Sequence, residues 1–165
     1  MTGLNDRFKM PVKRLYQVAK VGATAGWTVN AGVDTFMSTC AAAAAGGTLI
    51  VPLPFLEVGD RIVAHHMVGQ IESAGNAASI FAKITEFAAV AAASVATDKA
   101  GTTGSTLSVV ADTAMTEANT KKTIDEGSVV RVEDGKSYFA VITATTAAST
   151  DIELLAFVLH VIPSE

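Results

Sequence analysis

The chain has 165 residues, of which 50% are hydrophobic and only 17% charged, with a formal net charge of -4 and a pI of about 5.3. That length suits one domain with an appended arm, able to bury roughly 70% of its unfolded surface, with a charge content below the usual quarter. The acidic balance offers no broad basic field to nucleic-acid phosphates, and the single cysteine, Cys40, excludes an intramolecular disulfide framework and reads as a small buried hydrophobe.

Residues 1–13 are polar and mixed and read as an extended N-terminal arm; residues 14–165 read as one domain. Lys13 to Val21 predicts a first strand, Gly22 to Gly26 a turn, and Trp27 to Val29 a short strand whose Trp27 reads as a core residue, with an exposed ligand platform as the alternative. Val33 to Thr39 continues β structure. The run Ala41–Ala45 favours helix intrinsically but is too short to hold one and reads as a loop or a single turn. Thr48 to Leu53 is a strand that Pro52 marks as an edge or an end. Glu57-Val58-Gly59-Asp60 is a turn. Arg61 to Ile71 is a long strand with faces Ile62, Ala64, His66, Val68, Gln70 and Val63, His65, Met67, Gly69, Ile71.

After a turn at Ser73 to Asn76, Ala77 to Phe87 is a further long strand with Ile80, Ala82 and Ile84 on one face. Ala88 to Ala96 fits strand or loop equally. Asp98 to Ser105 is a Gly/Thr loop, Thr106 to Ala111 a strand, and Ala114 to Thr123 a helical turn or polar connection. Val129 to Val132 is short, and Asp134-Gly135 signals a hairpin turn. The chain closes with strand, small-residue turn and strand: Tyr138–Thr143, Thr145–Thr150 and Ile152–Ile162. The last strand is apolar on both faces. Leu155, Phe157, Leu159 and Val161 are expected in the core, and Ile152, Leu154, Ala156, Val158, His160 and Ile162 under a second layer; one β-bulge exchanges the two sets. Turn signals near every 8–12 residues without βαβ alternation give an all-β, antiparallel jelly-roll β-sandwich.

The apolar runs Ala41–Leu56 and Phe87–Ala96 are interrupted or far shorter than the ~20 residues of a membrane span. With no secretory signal in view, the chain is expected to be soluble, made in the cytosol and without a membrane partner. His65 and His66 are adjacent on a strand and point to opposite faces. A three-ligand site would take one of them, His160 and a carboxylate such as Glu72 or Glu153; partly buried or interfacial histidines are the plainer reading, and no metal is assigned. Gly135-Lys136-Ser137 lacks the earlier glycine of a phosphate loop, since Val130 stands there, and it leads into a strand. The carboxylate pairs Asp125/Glu126, Glu133/Asp134 and Glu57/Asp60 sit in polar turns and read as solvated. No catalytic constellation or cofactor site emerges, so no enzyme is expected. The one charge asymmetry is the cluster Arg7, Lys9, Lys13 and Arg14, read as a solvated terminus or a docking arm.

The stretch Leu49 to Ile62, then Val68 to Gly75, and later Tyr138 to Ile152 resembles small structural proteins encoded by tailed bacteriophages, of the jelly-roll type that decorates, or cements, the capsid. The resemblance spans roughly residues 14–162 and lies in strands and turns, not in a functional motif. It implies a homotrimer on the outer capsid surface whose partner is the major capsid protein, with no cofactor and no activity. On that reading Arg7, Lys9, Lys13, Arg14 and His160 are the candidate capsid or subunit contacts. The alternative is a receptor- or carbohydrate-binding module of a tail fibre or spike, for which one Trp and two Tyr are a thin supply of sugar platforms.

Overall fold

The structure is a computed structural model and describes residues 10–17, 22–23, 27–29, 38–40, 47–73, 78–90, 93–99, 107–109, 113–146 and 150–164. Runs rich in β-branched and aromatic residues build the long strands β6 (Arg61–Ser73), β7 (Ala78–Val90), β13 (Lys136–Thr146) and β14 (Thr150–Ile162). Shorter strands complete two antiparallel sheets. In chain order these are β1 (Val12–Gln17), β2 (Gly22–Ala23), β3 (Trp27–Val29), β4 (Ser38–Cys40), β5 (Gly47–Pro52), β8 (Ala93–Asp98), β9 (Leu107–Val109), β10 (Thr113–Met115), β11 (Lys122–Thr123) and β12 (Val130–Arg131). One sheet runs β10-β6-β14-β4-β3, with β1 also on β14 and β11 and β12 also on β6. The other runs β2-β5-β13-β7-β8, with β9 also on β7. The protein is an all-β, antiparallel jelly-roll sandwich.

The core lies between the sheets. Leu49, Val51, Ile80, Ala82, Ile84, Ala140 and Ile142 come from one sheet; Ile62, Met67, Ile71, Phe157, Leu159 and Val161 come from the other. Phe157, fully buried, contributes about 1.5–3 kcal/mol of transfer free energy. Its ring packs on that of His65, centroids 5.1 Å apart.

Several expectations change. The register between β6 and β14 shifts at Leu154/Ala156, so Leu155 bulges outward. Ile152 and Leu154 therefore join Phe157, Leu159 and Val161 in the core, while Leu155 is exposed. A second shift at His160/Val161 skips Val63, which turns both Ile62 and His65 inward. Gly22 and Ala23, expected in a turn, pair with Ile50 and Leu49. Ala88 to Ala96 is strand on both sides of residues 91–92, because Ala88 pairs with Val95 and Val90 with Ala93; pairing overrides the alanines' helix preference. Asp134-Gly135 is a tight turn with Gly135 at φ +69°, but it is no hairpin: β12 lies in one sheet and β13 in the other. The same holds for β13 and β14. β1 begins at Val12, one residue before the expected strand start at Lys13, so Val12, placed in the arm by sequence, lies opposite Val161 and Lys13 opposite His160. Residues 1–9, the run Ala41–Ala45 and the side chains of Trp27 and Cys40 lie outside the described residues.

One edge of β6 is lined by a single run of chain. β10 pairs with Gly69 to Ile71, β11 with Ala64 and His65, and β12 with Arg61 and Ile62. Between β10 and β11 the chain forms the helical turn α1 (Glu117–Thr120). There Thr120 takes over the ladder: its Oγ accepts from the Met67 N–H at 3.0 Å and lies 2.9 Å from the Met67 carbonyl. The expected helical turn in Ala114 to Thr123 is this element.

Candidate functional site

Two places gather the residues that sequence singled out. The first is the loop after β5. Pro52 ends that strand, and the chain passes through Leu53, Pro54, Phe55 and Leu56 to the turn Glu57–Asp60. The turn is closed by the Asp60 N–H donating to the Glu57 carbonyl at 2.9 Å, with Gly59 at φ +93°. Phe55 is 88% exposed and sits at φ +64°, a left-handed conformation that costs a bulky residue. Arg14 of β1 braces it: its guanidinium donates to the Phe55 carbonyl and pairs with the Asp60 carboxylate at 3.0 Å. Asp60 is fully buried, contrary to its expected solvation. It also accepts the backbone N–H of Glu57 at 3.0 Å and of Ser164 at 2.9 Å. A buried carboxylate satisfied three ways fixes Arg14, and Arg14 fixes the loop.

Beside Phe55 runs an open groove of about 320 Å³ lined by Pro52, Leu53, Lys136, Tyr138 and Phe139 among others. Its floor is rigid. Tyr138 is buried, and its hydroxyl accepts the Glu133 N–H at 3.1 Å. Cross-strand from Tyr138 lies Glu86, a buried carboxylate that accepts Lys99 at 2.9 Å and Lys136 at 3.0 Å. The Lys99 hydrogen bond above all, with that of Lys136, holds the Glu86 carboxyl below its usual range against the opposing effect of burial. Other large apolar side chains exposed nearby in sequence or on β1 are Val12, Leu15, Val58 and Met10. Among the described residues β1 pairs with β14 alone.

The second place is the outer face of β6 and β14. His66 pairs in register with Val158, and His160 with Ala64, so the two imidazoles sit diagonally on one face. His66 Nδ1 and His160 Nε2 are 3.0 Å apart, and both residues are buried. Burial is the main cause that lowers both imidazoles below their usual range. Glu117 of α1 brings a carboxylate oxygen to 3.8 Å from His160 Nε2. That carboxylate also takes Lys121 at 2.9 Å and an ion pair from Lys13, and these hydrogen bonds, Lys121's first, lower its pKa to about 2.

Of the five expected contact residues, Arg7 and Lys9 lie outside the described residues. Lys13, Arg14 and His160 fall on the paired strands β1 and β14, with Lys13 directly opposite His160. Lys13 and Arg14 are each engaged within the chain, not extended as an arm. The carboxylate that joins the histidines is Glu117; Glu153, named from sequence, instead accepts Gln70 Nε2 at 2.5 Å. Phe55 was missed, although an apolar residue after Pro54 and before a turn breaks the alternation that would bury it.

No family model matches this chain, and no curated protein matches it in sequence. Among solved structures it is similar to the CBM22-1 xylan-binding domain of Paenibacillus barcinonensis Xyn10C, at 11% identity over 95% of this chain and 99% of that one, with a TM-score of 0.44. It is similar to the family 11 carbohydrate-binding module of Clostridium thermocellum, in complex with a β-1,3-1,4-mixed-linked tetrasaccharide, at 12% identity over 98% and 96% of the two chains, TM-score 0.34. It is also similar to the enzymatically active domain of bacteriophage CBA120 tailspike protein 4, at 11% identity over 92% of this chain and 18% of that one, TM-score 0.32. None of these three is a capsid decoration protein. At such identities and scores no ligand or activity transfers, and the two-sheet architecture stands on the strand pairing itself.

Proposed function

We propose that this chain is a non-catalytic docking module that attaches to a protein surface through the Phe55 loop and the neighbouring strand β1. The observation that supports this is Phe55: a large apolar ring 88% exposed, on a backbone at φ +64° that Arg14 and Asp60 brace. Strained, over-determined residues concentrate where binding is done, and an exposed aromatic held rigidly is the kind of anchor that carries a protein interface. The finer reading is a decoration protein on the outer surface of a phage capsid, a homotrimer whose partner is the major capsid protein. It draws on the likeness of residues 49–62, 68–75 and 138–152 to that group. Many weak contacts per trimer then add through avidity.

A second reading is binding of a glycan, favoured by the groove of about 320 Å³ between the exposed Phe55 and the half-buried Phe139. Co-sedimentation of the purified chain with capsids that lack it, beside a glycan array, separates the two. Docking predicts saturable retention on capsids that falls roughly 30-fold in Phe55→Ser, the ~2 kcal/mol of a hot-spot residue, while light scattering still gives a trimer. Glycan retention lost in Phe55→Ser, with none on capsids, establishes the second reading and overturns the first.

A further inference from the structure

We infer that His66, His160 and Glu117 form a binding site for a divalent transition-metal ion, Zn²⁺ by its donor set. The inference is independent of the docking reading. Three elements that are distant in sequence converge here: β6 brings His66, β14 brings His160, and the first turn of α1 brings Glu117. One donor atom from each lies within 4.8 Å of the other two. Around a tetrahedral ion with ligands at about 2.0–2.1 Å, neighbouring donors stand about 3.3 Å apart. The observed 3.0 Å between the imidazole nitrogens and 3.8 Å from His160 to the carboxylate bracket that value. The third edge, from His66 to the carboxylate, lies within 4.8 Å.

Two imidazoles and one carboxylate suit Zn²⁺ and disfavour Mg²⁺ or Ca²⁺, which want oxygen donors. The register fixes the spacing of the two histidines, since both stand on the uninterrupted stretch of ladder from Ala156 to His160. The carboxylate is adaptable, since Glu117 is one-third exposed and opens the site to solvent. That exposed side leaves the fourth position for water or for a partner's side chain. Across the 3.0 Å gap one ring N–H donates to the lone pair of the other ring; a bound ion would take both lone pairs, with each ring carrying its proton on the other nitrogen.

The ammonium groups of Lys13 and Lys121 oppose a cation. Both end on Glu117, but both are long, flexible and substantially exposed, at 57% and 38%. They act as displaceable counter-ions, so the site binds less tightly than its ligands alone would allow. This competition gives the inference a signature that a purely structural histidine pair lacks.

The test uses full-length, tag-free protein stripped with a chelator. Co²⁺ is titrated at neutral pH and followed by visible absorption, then displaced with Zn²⁺. One equivalent of Co²⁺ per chain with an intense ligand-field band is expected. Glu117→Gln, a change at a half-exposed helical turn that leaves the core alone, weakens binding about tenfold or more. Lys121→Gln keeps all three ligands and removes a competing charge, so it tightens binding several-fold. Circular dichroism confirms that both variants fold. Absence of a stoichiometric band overturns the inference, as does an affinity unchanged in both variants.

Discussion

Replacing Phe55 by alanine and by glycine tests the brace on the exposed loop. Both changes remove a ring that is 88% exposed. About one-eighth of its roughly 200 Å² is buried, which at about 25 cal/mol per Å² is worth about 0.6 kcal/mol. The two variants differ only in a Cβ at φ +64°. At an ordinary position glycine is the less stable of the two by about 0.5–1 kcal/mol, through its greater freedom in the unfolded chain. In the left-handed region the Cβ costs about 1–2 kcal/mol. The sign therefore inverts: Phe55→Gly is expected to be more stable than Phe55→Ala by about 0.5–1 kcal/mol, or about 1–4 °C in Tm for a domain of this size. Urea titrations of the two variants and wild type, fitted with a common slope, read the difference. On the capsid-docking reading, retention on capsids should fall alike in both. A glycine variant less stable than the alanine variant refutes the strained loop, and full retention by either refutes Phe55 as an anchor.

The Glu86 carboxylate titrates low in the folded chain, so its contribution is complete above the unfolded value of 4.5 and is lost as pH falls from there through the folded value. Glu86→Gln should cost about 1.5–3 kcal/mol at neutral pH, and the gap to wild type should close on acidification below 4.5; a gap independent of pH in denaturant titrations would count against the Lys99–Glu86–Lys136 network. Gly69→Ala places a Cβ 2.1 Å from the Glu153 carbonyl oxygen and 2.9 Å from the Met115 side chain. It should cost about 3 kcal/mol or more, and a variant within 1 kcal/mol of wild type, an order-of-magnitude margin for ordinary substitutions, would mean that the β6–β14 contact is looser than drawn.

Strands were the legible part of this fold. Ile80, Ala82 and Ile84 alternate cleanly and lie in the core as alternation requires. The partition of strands between sheets was not legible, because a polar turn such as Asp134-Gly135 serves a hairpin and a crossing between sheets equally well. The faces of β14 were legible only beyond its bulge: Phe157, Leu159 and Val161 fall inward as expected, while Leu155 at the bulge does not and Ile152 and Leu154 before it turn inward instead. Asp60 reads as a turn carboxylate in water, and only the distant Arg14 and Ser164 reveal why it is buried. The His66–His160 pairing follows from period-two alternation on two neighbouring strands, but its carboxylate comes from a helical turn that no periodicity places there. Sequence reached two of the three members of that cluster for this reason.

The pairing of β1 with β14 has a mechanical consequence. Val12 lies opposite Val161, so the chain before β1 and the chain after β14 leave the sandwich at the same end. A load pulling these two ends apart does not shear the ladder; it unzips it, one pair after another. The Val12–Val161 pair meets the force first, followed by Lys13 with its tie to Glu117, and then Arg14. Tyr16, which reaches into the core, comes later. Tension before β1 thus removes the Arg14 brace from the Phe55 loop while most of the sandwich is still intact, so the conformation of that loop becomes sensitive to force applied several residues away.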